Sequence, residues 1–370
     1  MSERERANHR HSADDRALLT EVATDLFTDL CTPETVRAAE ETGWAGPLWD
    51  ALTAAGFPLV SVPEEAGGSG GSVADACAVL RVAGRFAAPV PLAETGLLAG
   101  WALASAGLAL PAGPATVAVG RPADALELTG GPGGWRVSGR LHRVPWAGEA
   151  ERVVALAQRG GDRFVLSLPA AGAAVVPGRN LAGEPRDTVN FDDLALPDDA
   201  VAPAPEHVTA DALLLRGALG RAALIAGALA RVTDLTVRYT NEREQFGRPV
   251  ARFQAVQHHL VRIAEEAQAA GMAAAVAAAS ADPDPAFFDV AAAKIVAGEA
   301  ASAAAKAAHQ AHGAIGMTKE YELGQLTRRL WAWRDEYGSE RHWSSRLGRH
   351  LAELGADGLW PRLATGLFTD

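Results

Sequence analysis

Cysteine is scarce in this sequence: Cys31 and Cys77 are the only two in 370 residues. Two thiols make no disulfide framework, and no Cys/His spacing suits a metal. No block of Lys and Arg occurs, and the formal net charge is −11. That balance argues against nucleic acid and against an anionic membrane surface, although a local basic pocket can still hold an anion. The segment from Met1 to about Asp15 is polar and lacks the apolar stretch of a signal peptide, so a cytoplasmic protein is expected. The uncharged stretch 96–120 contains Pro111 and Pro114. It reads as a buried helix, a turn and the start of a strand, not as a membrane span.

What is present points to two or three packed domains, since 370 residues exceed one simple core. The first third reads as helical. Residues 14–30 are amphipathic, Thr32-Pro33-Glu34 offers a helix start, and Ser72 with Asp75 offers a capping box. The glycine-rich stretch 64–72 lacks the Lys and Ser/Thr of a phosphate-binding P-loop, so a structural loop is expected. The middle third changes to short β-rich segments at 116–119, 135–137, 153–156 and 164–168, with glycine turns at 130–134 and 159–162. This predicts an antiparallel sheet continuing to about Leu196, followed by a linker at 197–205. Long helices are expected at 212–239, 253–279, 286–309 and 320–333. Arg216, Arg221 and Arg231 are spaced along the first of them. The run 291–308 is almost all small residues, which suits close helix packing.

Two further stretches carry chemistry. Tyr239, Arg243, Phe246 and Gly247 form Y-x-x-x-R-x-x-F-G, followed by Phe253-Gln254 and Gln257-His258. Later come His309-Gln310, Gly313, Gly316 and Glu320-Tyr321. Arg243 can make forked hydrogen bonds to a pyrophosphate, with Phe246 as an apolar face beside it. Gln310 can bond a ring or phosphate edge, and Gly313 and Gly316 let backbone N–H groups approach a phosphate. Alternatively, Arg243 is a surface arginine paired with Glu242 or Glu244. His258, His259, His309 and His312 lack a third ligand at metal spacing, and helix histidines with ordinary partners are expected.

In order and spacing these stretches, with Pro63-Glu64-Glu65-Ala66-Gly67-Gly68 upstream, resemble the acyl-CoA dehydrogenase family. The resemblance implies a mostly α fold with a small β domain. It has an N-terminal helical domain (1–113), a middle antiparallel β domain (114–205) and a C-terminal four-helix-bundle domain (206–370). It implies FAD-dependent α,β-dehydrogenation of an acyl-CoA thioester, with an electron-transferring flavoprotein as acceptor. It also implies that Arg243, Phe246, Gln310, Gly313 and Gly316 hold the FAD of a neighbouring subunit, so a homo- or hetero-oligomer is expected.

The sequence departs from the family where the base belongs. That glutamate directly precedes a Gly-Thr/Ser pair; here Tyr337 precedes Gly338-Ser339. Other members carry it on the first helix of the last domain, a position that falls at about Gly217. Glu336, or secondarily Glu340, is then a displaced base; otherwise Glu336 is a solvated partner of Arg334 or Arg341. In the β domain, Gly120-Arg121-Pro122-Ala123-Asp124 replaces the family's T-E-P…G-S-D segment, and Arg143-Val144-Pro145-Trp146 replaces its W-x-T strand. Three readings follow: an active oligomer, a non-catalytic FAD-cradling partner of a catalytic chain, or an inactive scaffold of the same fold.

Overall fold

The structure, a computed structural model, describes residues 3–120, 124–281, 284–318 and 320–365. Arg121, Pro122 and Ala123 of the T-E-P…G-S-D replacement lie outside the described residues. The chain begins with α1 (Glu3–Leu30), α2 (Pro33–Thr42), α3 (Gly46–Ala54) and α4 (Val73–Arg85). The expected caps form: the Thr32 side chain accepts from Thr35 N–H, and Ser72 and Asp75 make a reciprocal capping box. Between α3 and α4 the glycine-rich loop folds back on its own chain, with Gly70 N–H donating to Val62 O and Gly71 N–H to Val60 O. A π-helical stretch, Ala93–Gly100, then runs directly into α5 (Trp101–Ser105).

Two four-stranded sheets follow. One has the order β1-β4-β5-β8 (Ala115–Val117, Arg152–Arg159, Asp162–Pro169, Val201–Pro203). The other has the order β2-β3-β7-β6 (Ala125–Thr129, Trp135–Pro145, Arg186–Leu196, Ala174–Val176). Val137, Val189 and Phe191 of one sheet and Val153, Ala155 and Leu166 of the other share one buried core. Two expectations are corrected here. The sheet is not wholly antiparallel, because β1 pairs with β4 in parallel. The supposed linker also contains β8, which closes an edge by pairing with β5.

The chain returns to helix with α6 (Ala210–Glu242). A tight hairpin of β9 (Glu244–Gln245) and β10 (Arg248–Pro249) leads to α7 (Gln254–Ala279), α8 (Phe287–His312), α9 (Leu323–Asp335) and α10 (Glu340–Thr365). Helix α6 is long and apolar enough to cross a membrane, yet most of its apolar window is buried among the other helices. It crosses α4 backbone to backbone: a Cβ at Gly84 would stand 2.0 Å from Leu224 O, and one at Gly227 would stand 1.8 Å from Arg81 O. Only glycine allows that approach. The crossing fixes α6 under the N-terminal helices and so places Gly217 and Arg221.

Candidate active site and cofactor face

The turn after α9 is held from below. Buried Lys294 of α8 donates to Arg334 O at 2.5 Å and Gly338 O at 2.8 Å. The indole of Trp343 donates to Tyr337 O at 3.0 Å. Tyr337 itself takes φ +53°, a conformation that non-glycine residues adopt rarely and that marks imposed geometry.

This turn brings the two places expected for a base into contact. The Tyr337 ring lies on Gly217 of α6, where a Cβ would come within 2.2 Å of ring carbon Cδ1. The same ring sits 5.0 Å beneath the Arg221 guanidinium, one helical turn further along α6. The Tyr337 hydroxyl donates to Glu94 Oε1 at 3.4 Å. Burial, and next the Glu94 carboxylate, push the phenol well above its ordinary pKa, so it stays neutral.

Glu336 is neither a free base nor a solvated partner of Arg334 or Arg341. Its Oε1 accepts from Arg186 Nε at 2.7 Å and from Asn180 Nδ2 at 3.0 Å. Its Oε2 accepts from Arg186 Nη2 and from Arg221 Nε, each at 2.8 Å. Burial alone would raise its pKa; Arg186 and Arg221 more than reverse that and hold the carboxyl well below the usual carboxylate range. Abstraction of an α proton calls for the opposite, a raised pKa and a free lone pair. Glu340, the secondary candidate, forms a forked pair with Arg334.

The ion pairs continue through the interior. Arg221 also binds Glu94 at 2.5 Å, Arg186 binds Glu184 at 3.0 Å, and Arg329 binds Glu40 at 2.8 Å. Arg329 Nε also lies 3.2 Å from Glu184. This buried chain of charges joins the N-terminal helices, the β-sandwich and the bundle. Sequence reasoning missed Glu94 and Arg186 as its members, and Lys294 beneath the turn. For Glu94 and Lys294 the signal is a lone charge in an apolar or alanine run, since such a charge is tolerated only with a partner, whereas Arg186 stands between Glu184 and Asp187 and gives no such signal.

Above this network lies a cleft of about 400 Å³, lined by Val117, His142, Arg143, Glu336, Tyr337 and His342 among others. A bulge in β3 shapes its β side: the register with β7 shifts between Leu141 and Val144, and Arg143 takes φ +55°. The neighbouring Trp146 is buried, with the Arg186 guanidinium 4.7 Å over its ring.

The second set of expected residues, Gly316 apart, lies on the surface. Arg243 ends α6, and Phe246 and Gly247 form the two-residue hairpin turn with φ +53° and +76°. Positive φ at both positions is the type I′ geometry that matches strand twist. Phe246 is 93% exposed at the tip. Arg243 is exposed, and among the described residues it has no carboxylate partner, so the pairing with Glu242 or Glu244 does not form. Gln310 and Gly313 are exposed at the end of α8. Gly316 is buried, and a Cβ there would meet His312 Cβ at 2.9 Å, so its bare backbone serves packing.

The two segments are neighbours because Tyr239 of α6 stacks on His312 of α8, with ring centroids 4.6 Å apart. His312 Nδ1 donates to Ala308 O at 2.9 Å, and its Nε2 lies 3.2 Å from the Tyr321 hydroxyl. Burial lowers the pKa of His312 and of His309, whose Nε2 lies 2.9 Å from the Thr327 hydroxyl. Among the described residues no group of three His, Cys, Asp or Glu side chains could hold a metal.

A β-sandwich between two helical regions, with a cleft where they meet, is the architecture of a flavoprotein dehydrogenase. The chain belongs to the acyl-CoA dehydrogenase family: residues 13–109 match that family's N-terminal domain and residues 208–340 its C-terminal domain. It is 30% identical to acyl-CoA dehydrogenase IpdE2 of Mycolicibacterium smegmatis, across 84% of this chain and 90% of that one. It is also 30% identical to acyl-CoA dehydrogenase FadE27 of Mycobacterium tuberculosis, across 91% and 99%. Among solved structures it superposes on the ChsE4-ChsE5 complex of M. tuberculosis with a TM-score of 0.84. That match has 26% identity and covers 92% of this chain and 98% of the other.

Proposed function

We propose that this chain is one subunit of an FAD-dependent acyl-CoA dehydrogenase. In the assembly it presents a cofactor cradle to a second acyl-CoA dehydrogenase-like chain and leaves the base to that chain. The observation that carries the reading is the packing of Tyr337 on Gly217. The two positions at which the resemblance leads one to expect a glutamate are in contact, and a neutral phenol and a bare backbone stand there. The nearest carboxylates, Glu336 and Glu94, are each tied to buried arginines. A homo-oligomer using Glu336 as base would need one of those ion pairs to open.

The exposed face fits the cofactor. Arg243 is exposed and among the described residues has no carboxylate partner, Phe246 offers a ring outside its own chain, and Gln310 and Gly313 are exposed at the end of α8, whose His312 stacks on Tyr239 of α6. Bound there, FAD would take up the hydride equivalent leaving the acyl β-carbon. The residues of this chain would anchor and orient it, while Gly316 and His312 keep the Gln310 segment in place. A heteromeric relative by shape, the ChsE4-ChsE5 complex, supports an assembly of two such chains. An electron-transferring flavoprotein is the proposed electron acceptor.

The test is to purify the chain alone and together with an acyl-CoA dehydrogenase-like partner that carries a glutamate at either base position. Enoyl-CoA formation by the pair and none by the chain alone is the expected result. Turnover by the chain alone would overturn the reading.

A further inference from the structure

A second cavity shares no residue with the cleft. Helices α1, α4, α6 and α7 diverge to leave about 450 Å³ open between them. Its floor is made of small, mostly apolar residues, among them Cys77, Ala223, Gly227, Ala274 and Ala278. Helices lined by Ala and Gly usually close on each other, as α4 and α6 do at Gly84 and Gly227. Here the same kind of lining faces open space of the size and character of a small-molecule site.

The polar groups around it narrow the ligand. Three arginines, Arg16, Arg81 and Arg85, belong to the lining. Arg16 is neutralised by Asp75 at 2.7 Å and Arg85 by Asp234 at 2.6 Å. Arg81 has no carboxylate partner among the described residues. One of its Nη atoms lies 3.7 Å from where a Cβ on Gly271 would stand, so the guanidinium reaches from α4 to α7 across the cavity. The Thr20 and Thr24 hydroxyls each donate to a carbonyl one turn back at 2.7 Å and leave no O–H for a ligand.

One uncompensated guanidinium beside an apolar hollow calls for one negative charge on an apolar body. We infer that this cavity binds a medium-chain carboxylate, its head on Arg81 and its hydrocarbon tail along the Ala/Gly floor between α4, α6 and α7. The planar fork of Arg81 matches a carboxylate, and a single such fork is poorly matched to the several phosphate charges of an intact CoA ester.

The test uses the full chain with decanoate as probe, by calorimetric titration and thermal unfolding, beside decanol and decanoyl-CoA. One decanoate per chain and a melting temperature that rises with its concentration are expected. Arg81→Gln should weaken decanoate at least tenfold. Ala275→Phe, placed at an exposed lining position, should abolish binding by filling the hollow, with helix content unchanged in both variants. The inference is overturned if decanoate does not bind, if decanol binds as tightly, or if both variants bind like the parent chain. Decanoyl-CoA displacing decanoate from the parent chain but not from Arg81→Gln would overturn the free carboxylate as ligand. If the wild type binds nothing while Ala275→Phe changes the oligomeric state, the cavity is a contact between copies and the inference also fails.

Discussion

The aromatic ring of Tyr337 rests on the backbone of Gly217, so close that no side chain, not even a methyl, can be added at 217 without displacing it. This one contact closes both positions at which a base is expected. Gly217→Ala should destabilise the chain by about 1–3 kcal/mol, the usual cost of overpacking. In a Tyr337→Ala background the same change should cost far less. Denaturant titration of the four chains gives the coupling; independent, additive effects would mean the two residues do not meet.

Glu336 is predicted to be structural. Glu336→Gln leaves Arg186 and Arg221 buried without their shared counter-charge, and should cost about 3–5 kcal/mol of folding stability. The pH dependence has a definite sign. Because the folded carboxyl is held below its unfolded value, the stability it contributes is present above the unfolded carboxylate pKa of about 4.3 and is lost as pH falls below that range. Acid titration of unfolding should be shallower in the variant.

Lys294 has the same sign over a higher pH range, though its shift destabilises the fold at neutral pH where that of Glu336 stabilises it. Burial, and next the nearby Arg221, lower its pKa to about 7. The unfolded lysine therefore binds the proton more tightly than the folded one, and stability should rise as pH increases from about 7 towards the unfolded lysine value of about 10.4. Lys294→Met should flatten that rise while loosening the turn at Gly338. An unchanged alkaline profile would contradict the burial of the amine.

Arg243→Ala and Phe246→Ala should leave the isolated chain as stable as before, within about 0.5 kcal/mol, because both side chains are exposed. In the assembly with a partner each should weaken FAD retention at least tenfold, read by the flavin released on gel filtration. Equal retention would remove these residues from the cradle.

Much of the fold was legible because its signals are local. The caps at Thr32 and Ser72 and the long apolar helices need only neighbouring residues. The parallel pairing of β1 with β4 and the joining of β8 to β5 depend on partners far along the chain, and the π-helical stretch at Glu94 shows no separate periodicity. The last helix, α10, carries weak patterning and went unread. At the site, the sequence shows Tyr337 and Gly217 where the resemblance leads one to expect a glutamate; it does not reveal that the two residues meet. Arg186 lies 150 residues from Glu336 and Arg221 lies 115 away, separations at which charge patterning carries no information. The hairpin motif was readable as chemistry, whereas its exposure at the molecular surface and its nearness to the end of α8, through the packing of Tyr239 on His312, emerged only in the folded chain.

The most direct measurement is the flavin count of the purified assembly. If this chain lends its cradle and lacks a working centre, it should be colourless alone and the heteromer should hold one FAD for each pair of chains. One FAD on every copy of this chain, in the absence of any partner, would contradict the account.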